Sequence, residues 1–537
     1  MTSGLETTFR HLSKTKNDAA ATLLLAALDS DHAQIAEHAL TALLDRRGDA
    51  GSSEILSRLH TMEESWIEII RKRPGRLTGA LRNAIVGSDD QQCENACHAI
   101  SEFRDYDLMP VLINAAEDSA NEKAGLMAST VLELAEALYD ELAQPRDYKQ
   151  RRDPHLVRKS ISSSLEASVA RFAKHQRTEI LEAFLILTAR DNVVLRKILS
   201  DPYHEAYLAT AELLTKSERR GVMRLVLAFL DDRQAPSAAM TILSRRGDQA
   251  FVSHLLKKIG FEPTSVAKNN LRRIESMPWI TESYGLLDEF DDAGQHAAVQ
   301  LAIHCHLPQD DTLNMLEHVL TQGTPGGSVA AAAGLAKYSG SKANHLALDA
   351  LDHVDPRVQS AVIPHLRQRG IPGVMNRLLA LLESPHELVR NAARDQLVEF
   401  KFERYAEAFD NLTDDVRRTT GQLVKVVDPR ARALLSEEFG VASRTRRLRA
   451  LAMTEAMGMV VRLESEVIGL LGDDEHLVRV EAARALGGCQ SEAAIEALRD
   501  CLADRSVAVQ EAAEFSLQEI GRRVARAAEE ARQEQTS

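Results

Sequence analysis

Residues 471–520 read LGDDEHLVRVEAARALGGCQSEAAIEALRDCLADRSVAVQEAAEFSLQEI, and this stretch contains one unit twice. Laid on each other, Leu471, Asp473, Val478, Ala482 and Leu486 match Leu502, Asp504, Val509, Ala513 and Leu517, at an offset of 31 residues (502 − 471). Within each unit, apolar residues at i, i+4 and i+8 lie on one face of a helix. The acidic turn before that face supplies side chains able to cap it. The unit therefore predicts a helix, a short Asp-rich turn and a second helix.

Working outward, the leucine anchor recurs at Phe439, Phe409, Leu382, Leu351, Leu320, Phe290, Ile259, Leu230 and Leu199, and then at Ala173, Ala116, Val86, Leu59 and Leu28. One gap, between Ala116 and Ala173, is long by most of a repeat. Seven residues past most anchors comes an apolar residue, and four further a small or apolar one: Ile35/Ala39, Cys93/Cys97, Val266/Asn270, Ala297/Leu301, Val358/Val362, Val389/Ala393. The turns LDSD, GSDD, LSDP, LDDR, EFDD and LGDD are expected to cap the helices that follow them. About sixteen helix pairs account for nearly the whole chain.

This ladder resembles HEAT repeats, and its period of about 30 residues resembles the short phycobilisome-lyase HEAT-like subclass rather than the ~40–47-residue long class. The strongest likeness lies in Leu382–Leu397, Leu471–Leu486 and Leu502–Leu517. The resemblance implies an all-α fold, a right-handed α-α superhelix of the armadillo/HEAT type. It also implies an acidic turn residue and a basic residue six positions later that link neighbouring repeats, a spacing which Asp473 and Arg479 match; Ser384 with Arg390 and Asp504 with Gln510 depart from that pattern.

The chain has 537 residues, 44% hydrophobic and only 4% aromatic, as suits closely approaching Leu/Ala helices. A formal charge of −14 works against nucleic-acid and anionic-lipid binding. No 18-residue apolar run and no signal-peptide pattern appear, so no membrane span and a cytoplasmic location are expected. Five cysteines, an odd number without framework spacing, are expected to stay reduced.

Two stretches break the rhythm. In the long gap, residues 144–155 form a basic, Pro-bracketed insertion holding Arg146, Lys149, Arg151 and Arg152 between N-terminal repeats (1–143) and a main array (156–521). Insertions in solenoids often carry binding, so these four are candidate partner contacts. The next helix is expected to begin near Ser160. The second break, 321–340, replaces the turn with Gly and Pro and the bulky helix face with four alanines. Residues 522–537 form a polar cap.

Chemistry-bearing residues do not assemble into a site. Cys93 and Cys97 occupy core positions, and Cys305 the closing core position of its repeat. His204-Glu205 and His386-Glu387 resemble the paired His-Glu iron ligands of deoxyhypusine hydroxylase, a HEAT-like enzyme, but that family uses four pairs and here there are two. No phosphate-binding glycine loop, GxSxG or HExxH is present. No catalytic residue, metal or other cofactor is expected. What stands out is the position one past the buried valine, which holds Arg390, Arg417, Arg447 and Arg479, with Gln359 and Gln510 in the same register. Two readings stay open: a ladder joining neighbouring repeats, or a basic stripe for an acidic protein partner. The expected function is a non-enzymatic scaffold or adaptor that binds protein through an elongated surface. A bilin-lyase- or hydroxylase-like enzyme and a nucleic-acid binder are the alternatives.

Overall fold

The structure is a computed structural model that describes residues 4–46, 48–87, 89–145 and 153–534. Among these residues it has 35 α-helices, nine 3-10 turns and no strand, an all-α tandem repeat of helix pairs. Elements pack chiefly on their sequence neighbours. The helix His476–Leu486 lies against Val507–Glu534, and the preceding Glu464–Gly469 against Glu492–Cys501. The chain divides into two compact units, 1–318 with 322–327, and 319–321 with 328–537, so the division falls in and beside the Gly- and Ala-rich stretch.

The i, i+4, i+8 face is the core. Val478, Ala482 and Leu486 are wholly buried, as are Val358, Val362, Val389 and Ala393. Each such valine or leucine contributes roughly 1.5–3 kcal/mol by leaving water. Several anchors sit where the first helix tightens into a 3-10 turn, as at Leu59, Leu230 and Phe409. At four places the expected anchor is off by one. Val86, Ala173 and Leu502 are exposed and Leu471 half-buried, whereas the preceding Ile85, Phe172, Cys501 and Leu470 are buried. Leu470 lies in a 3-10 turn, whereas Ile85, Phe172 and Cys501 lie in α-helices, so at those places the repeat spacing simply puts the inward position one residue late.

The acidic turns act in two ways. Asp89 and Asp291 cap their helices, accepting from the backbone N–H of Gln92 at 2.9 Å and Gly294 at 2.8 Å. Asp473 and Asp504 do not cap directly. Each accepts from the N–H two residues on, Glu475 at 2.9 Å and Ser506 at 2.8 Å, closing the turn just ahead of the helix.

The long gap is filled by a pair of longer helices, Ala124–Ala143 and Pro154–Val169. The second starts six residues before the expected Ser160, because Asp153 accepts from the His155 N–H and Pro154 takes the first helical position, where its missing N–H costs nothing. Arg146, Lys149, Arg151 and Arg152 lie outside the described residues. In the second break the glycine has a steric reason. The Gly326 N–H donates to Asp292 Oδ1 at 2.9 Å, and a Cβ at Gly326 would stand 2.8 Å from the Asp292 Cβ.

Candidate partner-binding surface

The arginine register resolves into a repeated joint within the 328–537 unit, one that ties each helix to its own entry turn. Five of its members donate to the backbone carbonyl six residues earlier: Gln359 to His353, Arg390 to Ser384, Arg447 to Val441 and Gln510 to Asp504, all at 2.7 Å, and Arg479 to Asp473 at 2.8 Å. The acceptor is main chain, so Ser384 serves as well as Asp473. The departures from the Asp/Arg pattern thus leave the joint intact. Arg417 differs: it donates to the Phe409 carbonyl at 2.9 Å, pairs with Asp414 at 3.1 Å and lies 4.6 Å over the Phe409 ring.

Two members also reach forward to the next repeat's turn. Arg447 meets Asp473, with Nη2 donating at 3.1 Å and Nε 2.8 Å from the other oxygen. Arg479 grips Asp504 with two bonds of 3.0 Å. That guanidinium holds the Asp504 carboxyl below its ordinary range. The Arg447 and Arg479 side chains are 13% and 4% exposed, which leaves little of them for a partner; Arg390 and Arg417 are half-buried.

In the N-terminal unit amides do comparable work, reaching backward. The buried Asn270 donates to the carbonyls of Phe229, Leu230 and Asp232 at 3.2, 2.9 and 2.8 Å. Asn95 reaches the carbonyls of Leu56 and Ser57 at 2.9 and 3.2 Å. Sequence reasoning took Asn270 only as a small residue at a core position. An amide where the repeat demands an apolar group was the available signal, since burial requires partners for it.

Unpaired apolar surface gathers elsewhere in the N-terminal unit. The helices Val193–Ser200, Tyr207–Lys216 and Ser237–Arg245 border an open cleft of about 780 Å³ lined by Leu199, Tyr207, Leu208, Pro236 and Ile242. Leu208 is 77% exposed, and Tyr203, in the neighbouring turn, 95%. Large apolar side chains held in water beside a cleft are the ordinary mark of an interaction surface. Sequence reasoning did not single these residues out, because an exposed leucine has no periodic signature.

The remaining candidate groups stay apart. Cys93, Cys97, Cys489 and Cys501 are buried and Cys305 half-buried; all five are free thiols. Among the described residues no three His, Cys, Asp or Glu side chains converge to hold a metal ion, and no helix is long and apolar enough to cross a membrane.

These features define an all-α tandem array of helix pairs, the architecture that HEAT and armadillo repeats share. More particularly, residues 478–504 match the PBS lyase HEAT-like repeat. No curated protein sequence matches the chain. Among solved structures it is similar to a chain in a homology model of the full-length AP-3 complex in an intermediate open conformation, at 12% identity, 96% coverage of this chain, 94% of that one, and a TM-score of 0.29. It is also similar to a chain of the Pds5–Scc1 complex (11%, 95% and 80%, 0.29). The same holds for importin beta (11%, 96% and 65%, 0.21), of which it spans just under two thirds.

Proposed function

We propose that this chain is a non-enzymatic scaffold or adaptor that binds another protein. The observation that carries this reading is the open cleft between the Val193, Tyr207 and Ser237 helices, with Leu208 and Tyr203 standing in solvent around it. In a repeat array each unit buries its apolar face on its neighbours, so large apolar groups left outside are not needed by the core. The cleft suits a partner segment that presents an apolar ridge. Rim charges, with Lys216 paired to Glu212 at 2.8 Å, would orient that segment more than hold it. Within the arginine register, Arg390 and Arg417 are the members a partner can reach, and they suit acidic side chains.

The test uses the full chain as bait in native cell extract, with the partner identified and its affinity measured. Leu208→Asp with Tyr203→Asp should weaken binding at least tenfold while the melting temperature holds. Arg417→Glu reports on the register. Unchanged affinity in both variants would remove the cleft and the register as the binding surface.

A further inference from the structure

A second, smaller cavity in the N-terminal unit has a different chemistry. It is an open pocket of about 300 Å³ between the ends of Ala124–Ala143 and Pro154–Val169, the C-terminus of Thr178–Leu187 and the helix Arg220–Ala228. Its walls are Leu142, Ala143, Ile186 and Leu187, and its polar groups are Tyr139, His155, Arg158 and Arg224. Two guanidiniums thus face one small apolar space with no carboxylate in its lining among the described residues.

Both arginines are drawn there by the same helix end. Arg158 Nε donates to the Leu187 carbonyl at 2.8 Å, and Arg224 Nη2 to the Thr188 carbonyl at 2.7 Å. These are C-terminal carbonyls of a helix, buried and without an intrahelical partner, where a cation is favoured. Gly221 allows the approach, since a Cβ there would lie 2.7 Å from Ile186 Cγ2 and 2.9 Å from the Ile186 carbonyl oxygen. The carbonyls do not exhaust the donors. Among the described residues the terminal nitrogens of Arg158 have no acceptor, while Arg224 Nε is buried out of solvent's reach without one. Burial, with Arg158 adding to it, depresses the Arg224 guanidinium's affinity for its proton.

The surrounding acids are engaged or face other spaces. Glu166 and Asp191 border an adjoining cavity that shares Arg158, and Glu166 accepts from Asn192 at 2.6 Å. On the other side Glu182 is taken by Ser217 at 2.6 Å and Arg219 at 3.3 Å. Neither Arg158 nor Arg224 forms an ion pair among the described residues.

We infer that this cavity is a binding site for an organic carboxylate, its acid group on the unpaired terminal nitrogens of Arg158 beside the Arg224 guanidinium and its apolar body against Tyr139, Leu142 and Ile186. Guanidinium donors in a fork fit a carboxylate's two oxygens, and an anion would relieve two like charges held in a partly dry space. The volume suits an acid about the size of benzoate. Such a group could arrive as a free small acid or as the carboxylate ending a peptide chain.

The experiment titrates the full chain by calorimetry with benzoate, with neutral benzamide, and with a short peptide ending in phenylalanine as free acid or amide. Benzoate should bind at least tenfold more tightly than benzamide. Arg224→Lys, which keeps a cation at the helix end, should weaken benzoate at least tenfold. Ala143→Phe, which fills the cavity from its wall, should abolish binding, and either variant suffices if the other misfolds. Binding of benzoate alone assigns a free acid; tight binding of the acid peptide and not its amide assigns a chain terminus. Equal benzoate and benzamide affinities, or benzoate binding unchanged in the folded variants, would overturn the assignment.

Discussion

Arg479→Met tests whether the register is a structural joint. The substitution keeps the length of the alkyl stem but removes two 3.0 Å bonds to Asp504 and the donations to Asp473 and Asp474 carbonyls at 2.8 and 3.2 Å. The two side chains are 4% and 14% exposed, so solvent screens them little and a buried carboxylate is left without its cation. Breaking one side of such a pair costs about 3–5 kcal/mol; Asp504 retains the Ser506 N–H, which places the expected loss near the lower end, about 3 kcal/mol. Adding Asp504→Asn should recover part of it, because removing both charges is less costly than stranding one. The penalty also has a pH signature. Arg479 lowers the folded-state pKa of Asp504, so the pair's contribution is present above the unfolded carboxylate value of about 3.9 and is lost as pH falls through the folded value. Urea unfolding followed by peptide-resolved hydrogen exchange is the assay, since a repeat array need not unfold in one step. Faster exchange should concentrate in residues 473–517. A loss below about 1 kcal/mol, or a loss that does not change with pH, would refute the joint as a stabilising element.

Asn270→Leu should cost roughly 2–3 kcal/mol in urea unfolding, because three buried carbonyls lose their donor. Gly221→Ala should lower the melting temperature, since its Cβ meets Ile186 main-chain atoms at 2.9 and 3.0 Å. Burial and the neighbouring Arg369 push His365 down to about 4, and the neutral ring donates to the Ala332 carbonyl at 3.1 Å while accepting from Arg369 at 3.0 Å. Unfolding releases it to about 6.5, so its contribution is complete above that pH and falls away towards pH 4, up to roughly 3 kcal/mol; His365→Gln should flatten stability against pH in that window. Burial raises the Cys305 and Cys489 thiols to about 12 and 11, and mass spectrometry after brief alkylation at pH 8 should find both unmodified in the native protein.

Much of the fold was legible because the repeat writes its core in two periodicities at once, a helical face and a 31-residue spacing. Val478, Ala482 and Leu486 could be placed inside from residue type alone. The anchors were harder. The repeat spacing locates the end of a first helix only to within a residue, so Ile85 and Cys501 rather than Val86 and Leu502 face inward, and both candidates at each place are apolar or small. The helix start at Pro154 was missed for the opposite reason: proline reads as a boundary, and only the Asp153 cap shows that the boundary is a beginning. The surface was barely legible. Arg390 and Arg479 share a sequence register but differ in burial, because only Arg479 finds an aspartate in the following turn. The pairing of Arg158 with Arg224 spans 66 residues and depends on one glycine, which no local pattern records.

The joint that recurs from Gln359 to Gln510 ties a helix to its own entry turn, and every turn offers the peptide carbonyl it needs. The position is therefore served by Gln as well as by Arg, and what Arg adds is reach: Arg447 and Arg479 also hold Asp473 and Asp504 in the following turn. Exchanging either arginine for Gln would keep that repeat's own turn closed while cutting its tie to the next.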